Sequence, residues 1–412
     1  MTSENLPSKQ KVSVAIVAIA KNESAYLAEW VHHHKHFGFD GIYIGINRTT
    51  DRSDEVIQKI QKKHNDVFAL NVDWIDSGCP QNKSPDFQSM SYAYMTKLIL
   101  DDEKAQYTHI IYLDIDEFWF CTDFQTDIKK YIRSLPEFDA MSFNWLMQPG
   151  DPIPFSRPFE NLLCTPVSLL KSLITTELAR EVIQYRAHFP QIGSTESPYI
   201  RLDSNGVPFV QGKHQEVSAA VPDLDSKAFV LHRAHRSEKE YIALLRRERP
   251  GLELPIKSNR SGFSLQATSK ISLDPTLLKT YWDDLDKFIK AYEIDSTLAK
   301  AKKRVYLLCD TILDIEPQRL ILNVQLYIRV LQGTFMEVKI LQKLEESEDA
   351  AIWSKNGPIF HGCANYYKEK QRYDIALRYI NLALLCRPEG PAILATANEL
   401  QKLANVGSSQ AA

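Results

Sequence analysis

The chain has no apolar run approaching the roughly 20 residues that cross a bilayer. Its longest run near the start, Val12–Ala20, has the length of a strand. The leader before it, Met1–Gln10, is polar and lacks the apolar centre of a signal peptide, so secretion is not expected. Basic surplus is also missing: the formal net charge is −3, which gives no sign of a nucleic-acid partner. Paired cysteines are missing too. Cys79, Cys121, Cys164, Cys309, Cys363 and Cys386 are scattered singly, with no Cys-x-x-Cys spacing. They read as reduced thiols of a cytoplasmic protein. A peripheral contact with the inner face of a membrane stays open.

At 412 residues the chain is too long for one ordinary core, and two or three domains are expected. Strand and helix patterns alternate through the first part. Strands are expected at Val12–Ala20, Gly41–Ile46, Val67–Val72 and Thr108–Leu113, and helices at Glu23–Phe37, Asp54–His64 and Gln88–Leu100. That rhythm predicts a parallel sheet with right-handed crossovers. Ala140–Trp145 reads as a further strand. Gln148–Pro158 holds four prolines and reads as a loop, and residues 160–230 as short strands and turns. Beyond about residue 273 the character turns helical. Residues 357–390 resemble one tetratricopeptide-like unit in the spacing of Ala364, Tyr367, Tyr373, Ala376, Ile380, Ala383 and Pro388, and a generic helical hairpin fits them equally.

The most informative stretch is His109–Phe118. Its apolar run ends abruptly in Asp114, Asp116 and Glu117. Unpaired charge is costly inside a protein, so these carboxylates should emerge at the strand's C-terminal end, where open α/β sheets hold ligands. Asp114 and Asp116, two apart on an extended backbone, would point to one side. Two hard oxygen ligands so placed suit Mn²⁺ or Mg²⁺, and a cation there can neutralise a diphosphate.

Three blocks in order resemble glycosyltransferases of the GT-A type, in the family-2-like branch with an Asp-x-Asp-Glu-Phe signature. They are Lys21-Asn22-Glu23, then Glu29-Trp30-Val31-His32-His33-His34 with Gly38-Phe39-Asp40, then Tyr112-Leu113-Asp114-Ile115-Asp116-Glu117-Phe118. His232-Arg233-Ala234-His235-Arg236-Ser237 is a weaker fourth. The resemblance covers about residues 11–250. It implies a Rossmann-like, mostly parallel GT-A domain over 11–272, followed by an all-α domain over 273–412. It also implies a nucleotide-diphosphate sugar donor and a glycan or lipid-linked acceptor, in surface-glycan synthesis. One departure is Ile46, which stands where the family carries an Asp; Asn47 or Asp73 could substitute.

On that resemblance Asp116 is the direct metal ligand, and Asp114 contacts ribose or holds a metal-bound water. His232 is the candidate late histidine ligand, with His235 second. Glu117 supports the metal or faces the acceptor. Asn22 and Glu23 meet the nucleotide, or cap the first helix. Gln88, Lys213 and Arg236 are donor contacts, with Arg246, Arg247 and Arg249 a solvated basic face. Inversion needs a carboxylate base, for which Asp151 and Glu216 are candidates. The run His32–His36 lacks the His-Glu-x-x-His pattern and reads as packing, with His34 turned inward. Two other functions stay open: an Asp-x-Asp phosphohydrolase, and a non-enzymatic interaction protein that could self-associate through its C-terminal helices.

Overall fold

The computed structural model describes residues 11–78, 84–104, 106–160, 162–193, 198–246, 256–346 and 355–409. The leader, Cys79, Arg247 and Arg249 lie outside them. Two compact units result. Of the described residues, one holds 11–241 and 265–306, and the other holds 242–246, 256–264 and 307–409. The expected boundary near residue 273 therefore falls inside the first unit.

The first unit opens with β1 (Val14–Ala20), α1 (Leu27–His36), β2 (Gly41–Ile46), α2 (Ser53–Gln61), β3 (Val67–Asn71), α3 (Asp73–Gly78), α4 (Ser84–Asp101) and β4 (His109–Tyr112). Next come β5 (Glu117–Cys121), α5 (Ile128–Arg133), β6 (Ala140–Met147), β7 (Leu163–Thr175), α6 (Thr176–Arg180), β8 (Val182–Gln184), β9 (Gln191–Ile192) and β10 (Arg201–Asp203). β11 (Ala228–His232), β12 (Ser269–Lys270) and α8 (Pro275–Ala291) follow, while α7 (Glu238–Leu245) and α9 (Asp295–Asp310) begin in this unit and end in the other.

The main sheet runs β3-β2-β1-β4-β7-β6-β11-β5. Strands β3, β2, β1 and β4 are mutually parallel. β7 is antiparallel to β4 and β6, and β11 is parallel to β6 and antiparallel to β5. The α/β sheet domain followed by helices is thus present. β1 and β2 are almost wholly buried, as parallel strands covered on both faces are. Gly41 opens β2 because no side chain fits there: a Cβ would stand 2.1 Å from the Tyr107 hydroxyl. Gly38 ends the turn after α1 at φ +82°, a conformation glycine adopts at little cost.

Two elements differ from expectation. The stretch after residue 160 contains β7, thirteen residues long, rather than only short strands. The second half of the acidic signature is itself a strand, β5, antiparallel to β11.

Helix α1 is clamped between β5 and α8. Trp30 is fully buried, and its indole N–H is shared between the carbonyls of Asp114 (3.0 Å) and Glu117 (2.9 Å). His33 is also fully buried; its Nε2 meets the Trp119 carbonyl at 2.7 Å and its Nδ1 the Tyr281 hydroxyl at 3.1 Å. His34 Nδ1 lies 2.9 Å from the Trp30 carbonyl, one helical turn back. His32 packs on the rings of Tyr281 and Phe288. The histidine run is packing.

The second unit is helical: α10 (Pro317–Leu322), α11 (Val324–Leu331), α12 (Met336–Glu345), α13 (Gly357–Glu369), α14 (Tyr373–Cys386) and α15 (Pro391–Ser409). The helical stretch over 317–345 is made of the first three of these. α13 and α14 form a hairpin whose inner faces bring Tyr367 and Tyr379 into stacked contact, with ring centroids 5.6 Å apart. Arg246 belongs to this unit and donates to the Thr311 carbonyl.

Burial holds the histidines of α1 neutral. It lowers His32 to about 4 and His34 to about 3, and it depresses His33 as well. Between those values and 6.5 the unfolded chain binds protons that the folded chain refuses. Their contribution to stability is therefore complete above 6.5 and is lost as pH falls toward 4. The expected outcome is a steep loss of unfolding free energy between pH 6.5 and 4.5, followed by urea denaturation. His32→Phe should flatten that slope by about 1.4 kcal/mol per pH unit, the value of one proton.

Candidate functional site

The C-terminal edge of the sheet collects the signature residues. β4 ends at Tyr112, and Asp114–Asp116 form a turn into β5. The two aspartates therefore do not share one face of an extended strand, as their spacing had predicted. The Glu117 N–H donates to the Asp114 carbonyl (3.0 Å), and the Asp114 N–H donates to Glu117 Oε2 (2.9 Å).

Glu117 is fully buried, so it neither faces an acceptor nor reaches a solvent-side metal. Its carboxylate lies 3.0 Å from the ammonium of Lys171, which also stands 3.3 Å from Asp114 Oδ2. Burial pushes the Glu117 carboxyl up to about 7 against the pull of Lys171. Burial opposes the Lys171 charge as well, but Asp114 and Glu117 more than offset that and raise its pKa. Asp114 is half-exposed, and its Oδ1 accepts from the Tyr92 hydroxyl at 3.4 Å. Gln88 reaches the turn only through this tyrosine: its Nε2 donates to the Tyr92 oxygen at 3.1 Å.

Asp116 stands apart from this network. Its Oδ2 lies 3.6 Å from Nε2 of His232, the last residue of β11, and its carbonyl accepts from Arg233 N–H at 2.8 Å. Trp145 backs the His232 ring, with centroids 4.2 Å apart. His188 lies on the other side of Trp145 at 4.9 Å. His235 packs edge-on against Tyr241. Among the described residues no three or more His, Cys, Asp or Glu gather as a metal cage. One carboxylate oxygen and one imidazole nitrogen at this separation still fit two ligands of a divalent cation. Diphosphate oxygens and water would have to complete the shell.

Three strand ends on this edge carry non-glycine residues in the left-handed region: Asn22 (φ +56°) after β1, Arg48 (φ +39°) after β2 and Arg236 (φ +52°) after β11. Asn22 does not cap α1. Its Oδ1 accepts the Thr50 N–H at 2.8 Å and ties the first two strand ends together. Arg236 is buried over the Tyr26 ring, 3.4 Å from its centroid, with its guanidinium 3.6 Å from Glu23. Asn47 is buried and donates to Asp76 (3.3 Å), while Asp73 accepts the Arg48 N–H (2.5 Å).

The Asp151 N–H donates to the Arg236 carbonyl at 2.7 Å, which brings the proline-rich loop to this edge. Asp151 Oδ1 accepts the Ile153 N–H at 2.8 Å. Glu216 lies 3.9 Å from His214 on a separate loop, where Lys213 is exposed. Among the described residues no hydrogen bond or ion pair links that pair to the acidic turn.

Sequence reasoning missed Lys171, Tyr92, Trp145 and Arg233. Lys171 had a signal, a lone cation inside Leu169-Leu170-Lys171-Ser172-Leu173-Ile174. Arg233 joins the second and fourth blocks: it pairs with Glu29 (2.8 Å) and donates to Gln148 (3.0 Å) and to the Ser156 carbonyl (2.9 Å).

Residues 10–164 match the model of glycosyltransferase family 92. No curated protein matches the chain in sequence. A crystal structure of HddC from Yersinia pseudotuberculosis aligns with 47% of this chain and 91% of its own at 10% identity, with a TM-score of 0.25, too low to carry an argument. The family-92 match runs from the first strand through the acidic turn and into β7, and on it the chain is a glycosyltransferase.

Proposed function

We propose that the chain transfers a sugar from a nucleotide-diphosphate donor to a hydroxyl of a glycan or lipid-linked acceptor, with inversion, in the making of a surface glycan. The observation that carries this reading is the Asp116–His232 pair, set at the C-terminal edge of the parallel strands. Asp116 and His232 would hold Mn²⁺ or Mg²⁺. The bound cation supplies positive charge to the diphosphate as it leaves. Asn22 and the backbone around Arg48 shape the loops that receive the nucleotide. Arg236, neutralised by Glu23, holds those loops rather than the phosphates.

Asp151 is the better candidate for the base that takes the acceptor proton. The hydrogen bond from its N–H to Arg236 keeps it at the working edge, and its bond to the Ile153 N–H fixes the direction of its carboxylate. Glu117 is ruled out by burial. Among the described residues no helix is long and apolar enough to cross a membrane, so a lipid-linked acceptor would be met at a surface.

Thermal shifts with UDP, GDP and CMP, with and without Mn²⁺, test the reading. One nucleotide should raise the melting temperature by several degrees only with Mn²⁺, and Asp116→Ala should abolish that rise with the metal-free melting temperature unchanged. A shift that survives Asp116→Ala sinks the proposed site. Once the donor is known, Asp151→Asn should lower kcat by roughly 10²–10⁴-fold with KM little changed. Full activity in that variant would pass the role to Glu216.

A further inference from the structure

Lys171 sits where a metal-binding acidic turn has least need of a lysine. Its side chain is 1% exposed, and its Nζ touches two of the three carboxylates of the turn. It comes from β7, whose antiparallel register on β4 (Ile110 to Ile174, Ile111 to Leu173) carries Lys171 alongside the end of β4, where the turn begins. The Trp145 ring lies 6.0 Å from the ammonium and closes the site behind it. Asp114 thus has one oxygen on Lys171 and the other on Tyr92, and Glu117 is shut in beneath. Asp116 makes no contact with the ammonium; its Oδ2 lies 3.6 Å from Nε2 of His232 instead.

We propose that Lys171 is the resident cation of the acidic turn. It is a positioning residue that withholds Asp114 and Glu117 from the divalent metal and limits the protein to two ligands. Such a site holds bare Mn²⁺ weakly and needs the oxygens of a nucleotide diphosphate to complete the shell, so the metal arrives and departs with the donor and product. The inference rests on the Asp116–His232 reading above. Direct removal of the ammonium distinguishes this role from a merely structural one, because damage to the turn weakens metal binding whereas release of Asp114 strengthens it.

The test is titration with Mn²⁺ alone, read by electron paramagnetic resonance of the free ion, on the full chain. Lys171→Met should bind Mn²⁺ at least tenfold tighter than the unsubstituted protein, and Lys171→Arg should bind it as the unsubstituted protein does. Adding Asp114→Asn to Lys171→Met should return the affinity to the starting value. If Lys171→Met fails to fold, Lys171→Met/Glu117→Gln removes both buried charges and carries the same expectation. Equal or weaker Mn²⁺ binding without Lys171, or a gain indifferent to Asp114→Asn, overturns the proposal. Metal binding in the unsubstituted protein that survives Asp116→Ala overturns the two-ligand reading instead.

Discussion

An ammonium and a carboxylate buried together, Lys171 and Glu117, are the constraint on which the C-terminal edge of the sheet depends. Neither group could remain ionised there alone, and removing one partner of such a pair costs on the order of 3–5 kcal/mol because the other is left stranded. The pair therefore fixes the relative position of β7 and the start of β5. The turn Asp114–Asp116 is the short link from β4, the neighbour of β7, into β5, and the Glu117 carboxylate closes that turn by accepting the Asp114 N–H. The geometry of Asp116 is thus set by a buried ion pair beside it.

The turn is held from its other side by α1. Trp30 places one donor between two carbonyls that bracket the turn, so the Glu-Trp block and the Asp-x-Asp-Glu-Phe block are two halves of one contact. His33 repeats the arrangement two strand residues further on, bonding the Trp119 carbonyl. A histidine suits this place because its two ring nitrogens can serve β5 and α8 together, which an apolar ring cannot do. Its cost is the acid sensitivity of the whole clamp. Arg233 completes the frame by joining Glu29 of α1 to Gln148 and Ser156 of the proline-rich loop.

The parts of this frame that were legible in the sequence are those written in local periodicity. β1 through β4 and the helices between them follow from apolar runs, the glycine after α1 and the abrupt acidic end of one strand. The elements that escaped depend on partners distant in sequence. Glu117 and Phe118 read as the close of the acidic signature at a strand's C-terminal end, yet they begin a strand because β11, more than a hundred residues later, lies beside them. β7 was lost among weak signals for the same reason, and Lys171 was lost with it. The aspartate spacing misled because it assumed extended backbone where the chain turns. Asn22 likewise read as a cap of α1, and its side chain instead accepts the N–H of Thr50, a partner that only the fold brings near.

The left-handed residues around this edge explain why the site is built from asparagine and arginine where glycine would fit more easily. Each such conformation costs on the order of 1 kcal/mol or more in a residue with a side chain. Glycine would avoid that cost but would leave the loops untied. The Asn22 side chain joins the ends of β1 and β2, the Arg48 side chain reaches Asp76, and the Arg236 side chain reaches Glu23 and Tyr26. In each case the side chain on the strained backbone reaches another segment of this edge (the loop after β2, helix α3, or the loop after β1), and the bond it makes offsets the strain. The loops that would receive a nucleotide are thereby fixed before it arrives, so less of the binding free energy is lost to ordering them. A preordered rim would suit the proposed pairing of Asp116 and His232, in which the donor would complete the coordination of a metal that the protein alone holds by two groups.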